Sequence, residues 1–340
     1  YAPLLPWFVW LSVKHRHALA FTACNPGIAN GGGLAGESKS EILTGLLASG
    51  DGRVLFGVRV PDEGTTEERA AWLMHQLESE PRLGGLPIVM KPDAGEQGRG
   101  IRVCRSRGDV DAFMRTTPGP VMAQRLSTKP NEVGVFYVCD AEAGGRIFSV
   151  NRKVFPVLVG DGKRTLEQLI WRHERFRCQA DTFLERFADR RGDVLTDGEE
   201  LVLSWAGNHR QGCAFHDAPG LITPGLEEAI GSIADGFVGV SGGGLDYGRF
   251  DLRFDDEDAL ARSEFDVIEV NGVSAEATSI YDPRRSCWFA WRTLAAQWAL
   301  AYAIGARNRA AGHRPVSLGE AWRMSRAHVR ERERLGAAGG

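Results

Sequence analysis

The stretch Ile88-Val89-Met90-Lys91-Pro92-Asp93-Ala94-Gly95-Glu96-Gln97-Gly98-Arg99-Gly100-Ile101-Arg102-Val103-Cys104 limits the fold more than any other part of the chain. An apolar strand ends on a lysine, a glycine-rich loop follows, and the next residues read as a second strand. Glycine lets backbone N–H groups approach an anion closely, and a lysine at the end of the preceding strand meets the same charge. In a dinucleotide-binding unit or a P-loop, such a loop must open a helix whose N-terminus faces the phosphate. Here the chain returns as a strand. This argues against both of those folds, and the element reads as a flap between two strands.

The remaining segments alternate helices with mostly antiparallel strands. Ser38-Lys39-Ser40-Glu41 reads as a capping box opening a helix to about Leu47. A strand is expected over 54–60, and a helix over 65–80 with Ala70, Leu73, Met74 and Leu77 on one stripe. A helix over 110–115 and a strand over 121–124 follow. Segments 132–139 and 146–155 predict a long antiparallel pair around a turn at 140–145. Thr165 and Gln168 cap a further helix, another is expected over 224–240, and strands over 246–254 and 265–270 come next. Regular βα units are absent, which argues against a (β/α)8 barrel and predicts an α+β or mixed α/β fold. At 340 residues and 43% apolar content the chain can bury a substantial core. A net charge of -3 excludes a globally basic nucleic-acid binder.

Both ends carry apolar character. The run over 4–13 is about half the length a bilayer-spanning helix needs, and Lys14, His15, Arg16 and His17 follow it. It reads as an arm packed on the body, with residues 4–17 as a place for peripheral membrane contact. The sequence begins at Tyr1 rather than methionine, which predicts a missing amino terminus. Six cysteines are scattered singly without zinc spacing, so reduced thiols in a cytoplasmic setting are expected. Beyond Pro283, Trp288, Trp291, Leu294, Ala295, Trp298 and Tyr302 recur at helical spacing as a packing stripe, and an arginine-rich helix is expected from about Arg307.

Two strand pairs carry the densest chemistry. Arg249 and Asp251 lie two apart in one expected strand, and Glu269 and Asn271 two apart in the next, so each pair projects to a single face. Two carboxylates and an amide oxygen beside a guanidinium suit magnesium held between protein and nucleotide phosphates. His216 and Asp217 resemble half of an acid–base pair, but no serine or cysteine nucleophile accompanies them.

Lys91 with the Gly95–Gly100 flap, Gln124-Arg125-Leu126 with Glu132, Arg249-x-Asp251 and Glu269-x-Asn271, in that order, resemble the ATP-grasp superfamily, and most the D-alanine–D-alanine ligase branch. The Val159-Gly160-Asp161-Gly162 turn and Asn208-His209-Arg210-Gln211-Gly212 resemble cyanophycin synthetase and glutamate-adding ligases. The resemblance covers about residues 38–283, with a central subdomain at about 84–124. It implies an ATP-grasp domain whose customary N-terminal domain is largely missing, preceded by an apolar arm and glycine-rich loop at 1–37 and followed by a helical extension at 284–340.

The resemblance also implies roles. Lys91 and Lys153 would neutralise the α- and β-phosphates, and Lys39 would reach the nucleotide. The flap residues Gly95, Glu96, Gln97, Gly98 and Gly100 would close over the phosphates. Gln124, Arg125 and Leu126 would form the adenine hinge, with glutamine where the family commonly has glutamate, and Glu132 would hold the ribose. Asp251, Glu269 and Asn271 would ligate two Mg²⁺ ions, with Mn²⁺ as the alternative metal. Arg249, together with Lys153, would stabilise the transferring phosphoryl group. His209, Arg210, Ser274 and Ser279 are the candidate substrate contacts. The implied reaction joins a small-molecule or peptide carboxylate to an amine through an acylphosphate. A phosphotransferase on the same fold and a non-catalytic nucleotide-binding regulatory protein are the alternatives. The acid, the amine and the oligomeric state stay open. Of the 41 Lys and Arg residues only six are lysine, and Lys39, Lys91 and Lys153 fall where a compact ammonium would meet phosphate.

Overall fold

A computed structural model describes the chain except for residues 95–99, 118, 141–143, 240–241 and 338–340. Its described strands, in chain order, are β1 (Gly57–Val60), β2 (Ile88–Pro92), β3 (Arg102–Cys104), β4 (Val121–Arg125), β5 (Asn131–Asp140), β6 (Gly144–Val154), β7 (Val157–Val159), β8 (Glu200–Val202), β9 (Ala214–Asp217), β10 (Tyr247–Phe254) and β11 (Phe265–Asn271). They form a four-stranded sheet in the order β1-β4-β2-β3, a five-stranded sheet in the order β11-β10-β5-β6-β9, and the pair β7-β8. Every pairing between these strands is antiparallel. The fold is α+β.

Period-two alternation explains how the five-stranded sheet serves both core and site. On β10, Phe250, Leu252 and Phe254 are fully buried on one face, and Arg249, Asp251 and Arg253 project from the other. The apolar face packs on the helices Pro224–Asp235 and Lys39–Leu47 through Ile230, Ile233, Ile42 and Leu46. Each such side chain contributes about 1.5–3 kcal/mol by leaving water. The four-stranded sheet has its own core, where Leu73 and Phe113 of the helices Thr66–Ser79 and Arg107–Thr116 meet Val60, Ile88 and Met90. A third cluster, including Leu166, Phe176 and Phe183, packs the helices Leu166–Arg172 and Ala180–Arg186 with the β7-β8 pair.

The helix starts follow the expected caps. Thr65 and Thr165 each complete a capping box, with Glu68 and Gln168. Ser38 Oγ accepts from the Glu41 N–H and donates to Asp93, so it caps the helix without the reciprocal Glu41 bond of a full capping box.

The two chain ends meet. The helix Leu5–Lys14 lies along the long helix Cys287–Ala310, with Trp7 Nε1 donating to Ala295 O at 2.9 Å and Phe8 edge-on to Trp298 at 5.3 Å. Asn25 Oδ1 accepts from the N–H groups of Asp246 (3.1 Å) and Tyr247 (2.9 Å) at the start of β10. Asn308 Nδ2 donates to the carbonyls of Ala23 and Cys24. The long helix is thus part of a fourth apolar cluster, together with Phe21, Phe136, Val138 and Tyr247. Residues Asn30, Gly31, Gly32 and Gly33 form a left-handed turn, with φ of 54°, 69°, 72° and 86°. Its carbonyls at Gly32 and Gly33 receive the N–H groups of Val273 (2.8 Å) and Ser274 (3.2 Å), which docks the arm beside the end of β11. A Cβ on Gly33 would lie 2.9 Å from Gly272 Cα, so glycine is required there.

Three expectations are revised. The helix starting at Pro224 ends at Asp235, short of residue 240. The C-terminal chain leaves its helix after Ala310, turns at Gly312 with φ of 100°, and restarts at Leu318. The tryptophan stripe packs only at its inner end, since Trp288 and Trp291 are 68% and 39% exposed. Among the described residues no helix is long and apolar enough to cross a membrane.

Candidate functional site

The register of the five-stranded sheet sets charged residues side by side on its polar face. Arg249 pairs with Asn271 on β11 and Phe136 on β5, and Asp251 with Glu269 and Gly134. Arg253 pairs with Glu132, which pairs in turn with Lys153 on β6. Gly134 leaves room for this row. A Cβ there would sit 2.6 Å from Asn151 Oδ1 and 3.1 Å from Arg249 Cδ.

Ion pairs knit the row together. Lys153 Nζ reaches Glu132 Oε1 at 2.6 Å and Asp251 Oδ2 at 3.0 Å. Arg249 Nε donates to Asp251 Oδ1 at 3.0 Å, and Arg253 Nη2 to Glu132 Oε2 at 2.8 Å. Burial works against the Lys153 charge, but Asp251 and Glu132 outweigh it and hold its pKa above the ordinary lysine value. Burial likewise opposes the Asp251 carboxylate, and Arg249 with Lys153 nevertheless holds it below the usual range.

The opposite wall comes from the other sheet and the helix Lys39–Leu47. Lys91 Nζ, at the end of β2, donates to Gln124 Oε1 at 3.0 Å, while Gln124 Nε2 donates to Leu55 O at 3.1 Å. Lys39 pairs with Glu269 across the gap. Asp93 ties the two lysines' elements together, accepting from Ser38 Oγ and from the Ser40 N–H, both at 2.7 Å. Burial, with Lys39 adding repulsion, pushes Lys91 down to about 8 despite the pull of Glu269 and Asp251. Glu269 goes the other way. Burial raises it, but Lys39 and Lys91 bring it down to about 2.

Between the walls runs a cleft lined by Ile42, Leu43, Met122, Gln124, Val267 and Ile268, with Lys39, Lys91 and Glu269 also on its wall. An apolar slot bordered by cations is what a base carrying phosphates needs. Two antiparallel sheets grip it from opposite sides. The architecture is an α+β one in which two antiparallel sheets face each other across a cleft.

No protein-family model and no curated protein matches the chain. Among solved structures it is similar to the bifunctional glutathione synthetase of Pasteurella multocida (14% identity, TM-score 0.38, 76% of this chain and 36% of that one). It is also similar to the VanG D-Ala:D-Ser ligase of Enterococcus faecalis (15% identity, TM-score 0.43, 85% and 63%). A third is the D-alanine–D-alanine ligase of Bacillus anthracis (11% identity, TM-score 0.44, 81% and 68%). The chain spans less than two thirds of the length of the first two. These likenesses concern the course of the chain alone.

Lys39, Lys91, Gln124, Glu132, Lys153, Arg249, Asp251, Glu269 and Asn271 come together around this cleft from the two sheets and the helix Lys39–Leu47. Glu132 is only 3% exposed, and each of its oxygens is engaged by a cation. Arg125 is exposed and gives its N–H to Phe56 O, and Leu126 is half-buried beside it. Gly100 has φ of 69°, and a Cβ on it would lie 2.9 Å from Pro92 Cγ, so it closes tightly on the end of β2. Gly95, Glu96, Gln97 and Gly98 lie outside the described residues. His209 rests between Phe215 and Tyr281, at 4.4 and 4.7 Å, and Arg210 is at the surface. Ser274 is exposed with its N–H on Gly33 O, whereas Ser279 is 1% exposed and its hydroxyl has no partner among the described residues.

Arg253, Asp93, Asn151 and Glu276 escaped the sequence reading. Arg253 continues the alternation of Arg249 and Asp251, so its signal was available. The others become meaningful only through pairings far apart in sequence.

Proposed function

We propose that the chain is an ATP-dependent carboxylate–amine ligase that works through an acylphosphate. The observation that carries this reading is the single row Asn271, Glu269, Arg249, Asp251 and Lys153, set across the cleft from Lys39 and Lys91. Cations would meet the triphosphate from both sides, and Arg249 stands beside the carboxylates where charge would develop in transfer.

Asp251 and Glu269 are register partners, and Asn271, two residues on along β11, adds an amide oxygen on the same face. This set of hard oxygens fits Mg²⁺. Bound there, Mg²⁺ would offset negative charge on the phosphates. The protein's own groups do the rest. Lys39, Lys91 and Lys153 hold the nucleotide, and the apolar cleft wall takes the base. A substrate carboxylate oxygen attacks the γ-phosphorus as its bond to ADP breaks. The amine nitrogen, once it has given up its ammonium proton, attacks the acyl carbon, phosphate leaves with its oxygen, and the nitrogen loses a second proton. Arg249 stabilises the charge at both stages, and positioning supplies most of the rate.

The test is ADP release with a panel of carboxylic acids in the presence of hydroxylamine. A trapped hydroxamate is the expected result. Asp251→Asn and Glu269→Gln should keep nucleotide binding and lose turnover. A phosphorylated product without hydroxamate would instead indicate a phosphotransferase. Nucleotide binding without ADP release from any acid would refute the ligase reading.

A further inference from the structure

We infer that Glu276 receives the amine substrate, holding its ammonium group beside Arg249; the inference rests on the ligase reading above. Glu276 lies on the loop after β11, and its backbone carbonyl accepts from Arg249 Nη1 at 3.4 Å. Its carboxylate is therefore one side chain away from the guanidinium at the reacting centre. The hydroxyls of Tyr1 and Tyr281 each donate to one of its oxygens and fix its orientation. A carboxylate offers about four acceptor positions, so two donors leave room for an N–H group of a ligand.

Charge distinguishes Glu276 from its neighbours. Glu132, Asp251 and Glu269 are each ion-paired to lysine or arginine, while among the described residues no such pair forms at Glu276. A second, independent feature points to a ligand at the same place. Asn151 is 2% exposed, its Oδ1 accepts from Thr278 Oγ1 at 2.6 Å, and its Nδ2 is buried with no partner among the described residues. Leaving a buried donor unsatisfied is costly, and a ligand oxygen would satisfy it. Gly134 keeps Asn151 and Arg249 next to each other by having no side chain between them. A carboxylate for an ammonium and an amide N–H for an oxygen describe one ligand class: a primary amine carrying a nearby oxygen acceptor.

Saturation-transfer NMR of ethanolamine, glycinamide and L-serine, each with ADP-loaded protein, tests the inference. At least one of these amines should bind the wild type and bind Glu276→Gln at least tenfold more weakly, with ADP affinity unchanged. Binding of none of them to the wild type, or equal binding to Glu276→Gln, overturns the inference. Should Glu276→Gln fail to fold, Tyr281→Phe carries the test: severalfold weaker amine binding supports the inference and unchanged binding overturns it. Hydroxylamine is uncharged at neutral pH and has no need of Glu276. Hydroxamate formation in the wild type therefore tests the ligase reading separately from the amine site.

Discussion

Lys91 and Lys153 are the same residue type, both buried, on facing walls of one cleft, and their environments push them in opposite directions. Lys153 sits between two carboxylates, whereas the hydrogen-bond partner of Lys91 is the neutral amide of Gln124. The first is held above the ordinary lysine value and the second falls to about 8. The difference separates two jobs. Lys153 is a structural cation that is already neutralised, and a nucleotide would have to share it with Glu132 and Asp251. Lys91 is an under-compensated cation, and an incoming phosphate would supply the anion it lacks.

Substitution should expose the contrast most strongly. Lys153→Met leaves Glu132 and Asp251 buried with only arginine partners, and breaking such a pair should destabilise the protein by about 3 kcal/mol. Lys91→Met removes a poorly compensated charge and leaves one Gln124 oxygen unsatisfied, two effects that nearly cancel, so stability should change by no more than about 1 kcal/mol. The same change should weaken ADP binding by about 10- to 100-fold through loss of a charge-assisted contact. Denaturation midpoints and titration calorimetry read the two quantities. Equal destabilisation by both substitutions would break the comparison.

The next largest effect is on pH dependence. Measured without divalent metal, nucleotide affinity should fall as pH rises through about 8, because Lys91 then arrives neutral and must take up a proton to bind phosphate. The slope should approach tenfold per pH unit, with net proton uptake seen by calorimetry in buffers of different ionisation enthalpy. Stability should move the opposite way. The folded Lys91 binds fewer protons than the unfolded one between about 8 and its ordinary 10.5, so its contribution to stability rises with pH across that window. Lys153, with a raised pKa, holds its stabilisation there and loses it only at higher pH. A pH-independent affinity in Lys91→Met would assign the effect to this side chain.

How much of this was legible in the sequence depends on range. Alternation of two along a strand gave the β5-β6 pair and the common face of Arg249 and Asp251, because that period belongs to the backbone itself. Side-chain caps at Ser38, Thr65 and Thr165 act within three residues and could likewise be read locally. What stayed hidden depends on register and docking. Nothing local to Glu132 announces Arg253, whose partnership follows from how β5 slides against β10. The final helices read as an extension beyond residue 283, yet Asn308 and Tyr302 bond to the carbonyls of Ala23 and Ala18, and the long helix forms one core with the opposite end of the chain. The apolar character of Trp288 and Trp291 was plain, but helical spacing alone does not say which members of a stripe meet a partner, and these two are exposed.

The smallest expected effect concerns how the Lys91 wall is held in place. Among the described residues Asp93 forms no ion pair; it accepts from Ser38 Oγ and the Ser40 N–H at the start of the Lys39 helix, a position where a negative charge also favours the helix dipole. Asp93→Asn keeps the shape but removes the charge and turns one acceptor into a donor, which should lower stability by about 1–2 kcal/mol. Because Lys39 shares that helix and Lys91 lies two residues before Asp93 on the same chain, ADP binding should weaken as well, by severalfold rather than the larger loss of Lys91→Met. A Lys91→Met/Asp93→Asn double variant then separates the two lysines. If Asp93 acts only by positioning the lysines, its effect on binding should shrink once Lys91 is gone while its effect on stability persists, whereas full additivity in binding would show that Asp93 acts on nucleotide through Lys39 alone.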